Sequence, residues 1–388
     1  MKKIKLGILG LGNQGSMYSK KIVAGECPEV ELVAVCDRNP KRLEWAKELE
    51  APLHFFDSAE AMLDSGLINA CIVAVPHYDH PKYAIACMER GIHVLVEKPA
   101  GVYTKQVREM NEFAAKHDVV FAMMFNQRTN HIYRKMKELV ESGEYGQIRR
   151  TNWLITNWYR PQAYYDSGDW RATWSGEGGG VLLNQCPHQL DLWQWICGMP
   201  VKVTAHMKYG QWHNIEVEDD VTAYVEYANG ASGVFITSTG DACGTNRFEI
   251  QMDKAKLVAE NGQLTVKVFA ESEPEFTKTN QKPFGAPATS DLEFETDGLN
   301  LQHMGVINAF AARILHGDAL VAGGAEGING LTLSNAMHLS SWLGKTIELP
   351  LDEDVYYEEL MKRVATSRRR TEVKEAYADT ASTFAGTK

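Results

Sequence analysis

Through its first third the chain sets short apolar runs between glycine-rich or charged breaks. Residues 4–9 form a β-prone run that stops at Gly10-Leu11-Gly12-Asn13-Gln14-Gly15, and a helix-like segment follows over 16–24. Strands are then expected at 30–36, 51–56, 69–75, 94–96 and 119–124. Between them lie expected helices at 58–64, capped by Ser58, at 81–90, closed by Gly91, and at 104–117. Strands alternating with helices predict a parallel, doubly wound sheet. After a helix ending near Glu141 the pattern changes. Alternating runs at 201–207, 220–227, 231–239 and 247–252 read as strands, with hairpin turns at 228–230 and 260–262. Helices are expected from about Asn184 to Cys197, at 303–315 and at 326–343, and 271–300 reads as surface loop.

The glycine spacing gains meaning from its neighbours. G-x-G-x-x-G directly after a strand and opening a helix is a dinucleotide-binding arrangement. Gly10 permits the tight turn, Gly12 lets a pyrophosphate approach the backbone, and Gly15 allows close packing of helix on strand. The free N–H groups of the helix start, at Asn13 and Gln14, favour phosphate. Asp37 ends the second strand 22 residues after Gly15, where a carboxylate would bind the ribose hydroxyls and repel a 2′-phosphate. That favours NAD, whereas Arg38 beside it is able to pair with a phosphate, so NADP stays open.

Two further strand ends face the same crevice. One carries Pro76-His77-Tyr78-Asp79-His80; the other carries Glu97-Lys98-Pro99, where the proline restricts the backbone of Lys98. His77 and His80 read as loop histidines beside the cofactor. No cysteine or carboxylate cluster completes a metal site around them, so no metal is expected.

With 388 residues, 44% of them hydrophobic, the chain is long enough for two cores. A net charge of −10 without a basic stripe argues against a nucleic-acid partner. No apolar run reaches the ~18 residues of a membrane span. Seven cysteines without a C-x-x-C pair fit reduced thiols in a cytoplasmic protein.

The glycine turn, Asp37, the Pro76…His80 turn and Glu97-Lys98-Pro99 together resemble the Gfo/Idh/MocA oxidoreductase family, of glucose–fructose oxidoreductase and inositol dehydrogenase type. The resemblance implies a Rossmann domain followed by an α/β domain on an open, mostly antiparallel sheet. The expected division is 1–125 for NAD binding, 126–350 for substrate binding and oligomerisation, and 351–388 as a C-terminal extension. The resemblance also implies that Lys98 is the catalytic lysine and that Glu97 contacts the nicotinamide ribose. Asn126 and Arg128 match an Asn-Arg-Arg-like turn at the nicotinamide pocket, with Gln127 departing from it. His188 matches the family's histidine, and Asn184 stands where many members have aspartate. An amide takes no proton, which leaves His188 as the titratable partner of Lys98 in the motif. His303 matches a position that is often histidine.

Residues 153–174 hold seven aromatics, including four of the nine tryptophans, interleaved with Asn157, Arg160, Asp166, Asp169 and Arg171. Tyr159, Tyr165, Trp170 and Arg171, with Asn184 and Arg128, are the candidate substrate contacts. Rings beside hydrogen-bonding groups suit a sugar; a subunit interface is the competing reading, and a pure core fits less well. The expected activity is NAD-dependent hydride transfer at a ring secondary alcohol of a sugar, glycoside or cyclitol, by a homodimer or homotetramer. A glycosidase using tightly bound NAD transiently and a non-catalytic NAD-binding sensor stay open. The run Ser367 to Arg370 is expected to be solvated or paired with another subunit, and the tail from Thr371 to be loose or to wrap a partner.

Overall fold

The structure, a computed structural model, describes residues 2–369 and 373. Arg370 and the rest of the expected tail lie outside the described residues.

The first sheet has six parallel strands: β1 (Ile4–Leu9), β2 (Val30–Cys36), β3 (His54–Phe56), β4 (Ala70–Val73), β5 (His93–Val96) and β6 (Phe121–Met123). Their order is β3-β2-β1-β4-β5-β6, with the topological switch between β1 and β4. All of β4 and most of β5 is buried, which explains their unbroken apolar sequence. Helix Asn13–Val23 follows the glycine turn, and Ser58 caps helix Ala59–Leu63 by accepting from the Ala61 amide.

The second sheet has nine strands: β7 (Ile148–Ile155), β8 (Lys202–Tyr209), β9 (Glu218–Glu226), β10 (Ser232–Ser238), β11 (Asn246–Met252), β12 (Ala255–Glu260), β13 (Gln263–Phe269), β14 (Thr289–Asp291) and β15 (Ile347–Glu348). The order is β14-β13-β12-β11-β7-β10-β9-β8-β15, and only the β7–β10 pair is parallel. Asn261 and Gly262, both with positive φ, make the two-residue turn between β12 and β13. One face is packed: Trp153 stacks on Phe248 at 4.2 Å, and the Trp193 indole donates to Thr151 at 3.0 Å. Helices Pro187–Cys197 and Gly327–Leu343 lie against each other and supply the cover.

Several local expectations fail for identifiable reasons. The helix expected from Asn184 begins at Pro187, because proline tolerates the first helical position; Asn184 lies in the preceding turns and shares no helix face with His188. The expected loop at 271–300 holds helix Glu273–Thr279, capped by Ser272, and β14. Its signal is a serine three residues before Glu275. Past Pro350 the chain forms helix Glu353–Thr366, capped by Asp352. The charged run after it docks within the chain: the Ser367 hydroxyl and the Arg368 N–H both donate to Glu216 at 2.6 Å, and Arg369 lies 3.5 Å from Asp169. Helix Gln302–His316 returns to the first sheet, where Met304, Ile307 and Phe310 pack with Ile4, Leu6 and Ile8.

Candidate active site

The glycine turn is shaped by contacts that exclude side chains at two positions and leave the third open. Gly10 has φ of 95°, and a Cβ there would lie 2.3 Å from the Ala74 carbonyl oxygen. A Cβ at Gly15 would lie 1.9 Å from the Gly10 carbonyl oxygen. Around Gly12 nothing lies within 4 Å, so the protein itself does not require glycine there. An open cradle beside an uncapped helix N-terminus fits a pyrophosphate. Asp37 straps the turn from outside, accepting from the Leu11 amide at 2.7 Å and the Asn39 amide at 2.8 Å. Arg42, which sequence reasoning missed, donates to the Leu11 carbonyl at 2.6 Å and to the Ser16 hydroxyl. Arg38 is exposed. Gln14 Oε1 and Asn126 Oδ1 are buried and without a hydrogen-bond partner among the described residues, which leaves both for a bound group.

At the next strand ends, Pro76 opens a single turn, His77–Asp79. His77 is buried, with Nδ1 3.3 Å from the Glu177 carbonyl and its ring edge-on to Trp170. His80, expected near the cofactor, has Nδ1 at 2.6 Å from the Pro99 carbonyl and Nε2 at 2.7 Å from the Val75 carbonyl. With both nitrogens engaged by backbone it is a brace under the Lys98–Pro99 turn. Glu97 is buried; one oxygen accepts from the Tyr18 hydroxyl and the other from the Lys98 amide at 3.1 Å. Burial pushes its carboxyl up, opposed by the Lys98 charge.

Lys98 reaches across the crevice. Its ammonium donates to the Asn184 carbonyl at 2.8 Å, joining residues 86 apart. Burial lowers its pKa, while Glu97 and Glu177 raise it. His188 sits on the first turn of helix Pro187–Cys197, fully buried, edge-on to Phe125. Burial first, then the Lys98 charge, holds its pKa well below the ordinary histidine value. The imidazole is therefore neutral at pH 7 and lies within electrostatic reach of the Lys98 ammonium. His303 is buried near Tyr18, and burial pushes its pKa to about 3.

The aromatic segment divides. Trp153, Trp158, Tyr165 and Trp174 are buried, so much of it is core, against the sequence expectation. Tyr165 donates its hydroxyl to Thr239 at 2.9 Å and packs on His213, which removes it from the substrate list. Tyr159 is exposed. Trp170 and Arg171 stay half-buried at the crevice, where the Arg171 guanidinium stacks on Trp170 and donates to the Tyr164 hydroxyl at 3.1 Å. Arg128 is also corrected. Its guanidinium is buried, paired with both Asp191 oxygens at 2.7 and 2.8 Å and with Glu326 at 2.6 Å. It pins the turn after β6 to the helix bearing His188.

Sequence reasoning also missed the support of the turn between Gly178 and Asn184. Glu218, fully buried, accepts from the Gly180 amide at 2.8 Å and the Leu182 amide at 3.0 Å, and lies 3.0 Å from His338 Nε2. These partners are dozens of residues apart and carry no local signature.

Comparison with known proteins bears on this arrangement. Residues 4–125 match the model of the oxidoreductase family with NAD-binding Rossmann fold, and residues 133–258 match the GFO/IDH/MocA C-terminal domain. The chain belongs to the GFO/IDH/MocA oxidoreductase family. It is similar to the 1-carboxy-3-chloro-3,4-dihydroxycyclohexa-1,5-diene dehydrogenase of Comamonas testosteroni, 26% identical over 59% of this chain and 56% of that one. The chain thus spans little more than half of that relative. The myo-inositol 2-dehydrogenase of Thermotoga maritima is 23% identical over 70% of this chain and 79% of its own. Among solved structures, the WlbA dehydrogenase from Bordetella pertussis in complex with NADH and UDP-GlcNAcA is 27% identical with a TM-score of 0.75, covering 91% of this chain and 99% of that one. The GFO/IDH/MocA architecture accounts for both sheets, and its NAD-binding domain for the glycine cradle. Among the described residues no helix is long and apolar enough to cross a membrane.

Proposed function

We propose that this chain is an NAD-dependent dehydrogenase acting on a ring secondary alcohol of a sugar, glycoside or cyclitol. The observation that carries the reading is the Lys98 ammonium held at 2.8 Å on the Asn184 carbonyl, in the turn that leads into the helix bearing His188, whose neutral ring feels the Lys98 charge. Gly10, Gly12, Asn13, Gln14, Gly15 and Asp37 would hold the dinucleotide, with Glu97 and Asn126 toward its nicotinamide end. When bound, the nicotinamide accepts or returns a hydride at the alcohol carbon. His188 takes the hydroxyl proton as general base, for which a neutral ring is required. Lys98 donates to the same oxygen and stabilises the charge that develops on it. Asn184, Trp170 and Arg171 orient the ring. Asp37 at the ribose position supports NAD over NADP.

The division into 1–125, 126–350 and 351–388 is kept, with helix Gln302–His316 lending cover to the first sheet. Half-exposed Val234, Ile236 and Val258 and exposed Leu154 and Tyr224 on the second sheet's outer face support a homodimer or homotetramer. Seven free thiols support a cytoplasmic location.

A panel of monosaccharides, glycosides and inositols with NAD and NADP, followed by reduced-nicotinamide absorbance, tests the reading. Lys98→Ala should lower kcat by roughly 10²–10³ while sparing NAD binding. Unchanged turnover would reject the assignment, and release of free sugar without net absorbance change would favour a glycosidase.

A further inference from the structure

Asn184 replaces a carboxylate, yet a buried carboxylate stands directly behind it. Glu177 is 2% exposed, on the turn that leads into Gly178. Its Oε2 accepts from the Ala172 N–H at 2.6 Å and its Oε1 accepts from the Asn184 side-chain amide. Ala172 adopts φ of 51°, in the left-handed region that non-glycine residues seldom enter, and in this shape its N–H is directed at Glu177. A backbone N–H only donates, so Oε2 is an acceptor. With Asn184 Nδ2 on Oε1, both carboxyl oxygens accept from the chain, one from a backbone N–H and one from a side-chain amide.

With Nδ2 on Glu177, Oδ1 is turned to the crevice, where it accepts from the Tyr164 hydroxyl at 3.2 Å. Tyr164 in turn accepts from Arg171 at 3.1 Å and from Gln185 at 3.4 Å. A chain of donors thus runs from Arg171 through Tyr164 and Asn184 and ends on Glu177. The Glu177 backbone carbonyl also faces His77, which ties the turn to the cofactor half.

We propose that Glu177 is a positioning residue for the ring-alcohol reaction, aiming the Asn184 oxygen at a substrate hydroxyl and supplying negative charge that keeps Lys98 an ammonium. The inference rests on the reading of the site given above. Lys98 is faced by Glu97 from its own strand end, by Glu177 and Cys186 from the two turns, and by Arg160 from the aromatic segment. His77, His80, His188 and His303 feel its charge from the remaining sides. Among these only the two glutamates are carboxylates, and Glu97 is shared with Tyr18. Glu177 itself faces Arg171 and Glu218; burial pushes its carboxyl up and Arg171 pulls it down.

The test follows the Lys98 titration directly, in the full-length protein with NAD bound, by NMR of 13Cε-labelled lysine. The Lys98 signal is assigned by its loss in Lys98→Arg. Glu177→Gln should lower the Lys98 midpoint by on the order of one pH unit, tenfold in its protonation equilibrium, and bring the alkaline limb of kcat down with it. An unchanged midpoint in a folded Glu177→Gln protein overturns the proposal. Glu177→Asp keeps the charge but is too short to reach both donors. It should hold the midpoint near wild type while kcat falls tenfold or more, and an Asp variant with wild-type kcat also overturns the proposal. The NMR midpoint needs no turnover, so a failed sugar panel would sink the functional reading and leave Glu177 to be judged separately.

Discussion

The turn at 10–15 and the turn at 176–186 both offer backbone to one crevice and both are shaped by glycines, yet the second adds a buried network of charges. In the first, Gly10 and Gly15 are required by backbone atoms within a few residues or on the adjacent strand, and the nearest carboxylate, Asp37, ends the neighbouring strand. In the second, shape also comes from buried charges far apart in the chain: Glu218 with His338, Arg128 with Asp191, and Lys98 on the Asn184 carbonyl. Both turns exclude side chains, at Gly10 and Gly15 in the first and at Gly176, Gly178 and Gly180 in the second. The substrate half adds a polar network of distant partners, and such networks lose heavily when one member is removed.

The largest expected effect tests the buried histidines that flank both turns. His77, His188 and His303 are held neutral, chiefly by burial. Unfolded, each binds a proton near pH 6.5; folded, each resists it until well below. Stability is therefore full above pH 6.5 and falls as the pH drops, by about 1.4 kcal/mol per pH unit for each histidine, roughly 4 per unit together. Urea unfolding between pH 7.5 and 5 measures this, and a flat profile would contradict the burial of these rings.

Next in size is the buried pair. Arg128→Leu should cost about 3–5 kcal/mol, because Asp191 is left charged and buried. If Arg128 contacted substrate instead, the variant would raise KM with little change in Tm.

The smallest effect isolates the other half. Gly12→Ala meets no protein atom within 4 Å, so the apo fold should keep its Tm to within about 1 °C. The Kd for NAD should rise by on the order of tenfold, since the methyl group fills the phosphate cradle. A Tm loss with unchanged Kd would mean that the turn is a purely structural glycine site.

This contrast also explains what the sequence made legible. The six parallel strands and the glycine cradle follow from periodicity and spacing within 130 residues. Lys98 stood out as a strand-end amine facing the crevice, but its catalytic role and that of His188 came only through a family resemblance. Glu177, Tyr164 and the Glu218–His338 pair were not visible at all, because each acts through a partner on a distant element. Arg128 and Tyr165 misled for the converse reason. A polar side chain in a binding-like stretch looks the same in sequence whether it faces a ligand or a buried partner.

The most direct measurement is a crystal structure of the complex with NADH and a ring-alcohol substrate taken from the active members of the panel. The account predicts that Lys98 Nζ and a ring nitrogen of His188 both lie within about 3.2 Å of one substrate hydroxyl oxygen. A substrate bound with those two groups on different oxygens, or outside the crevice between the two turns, would contradict it.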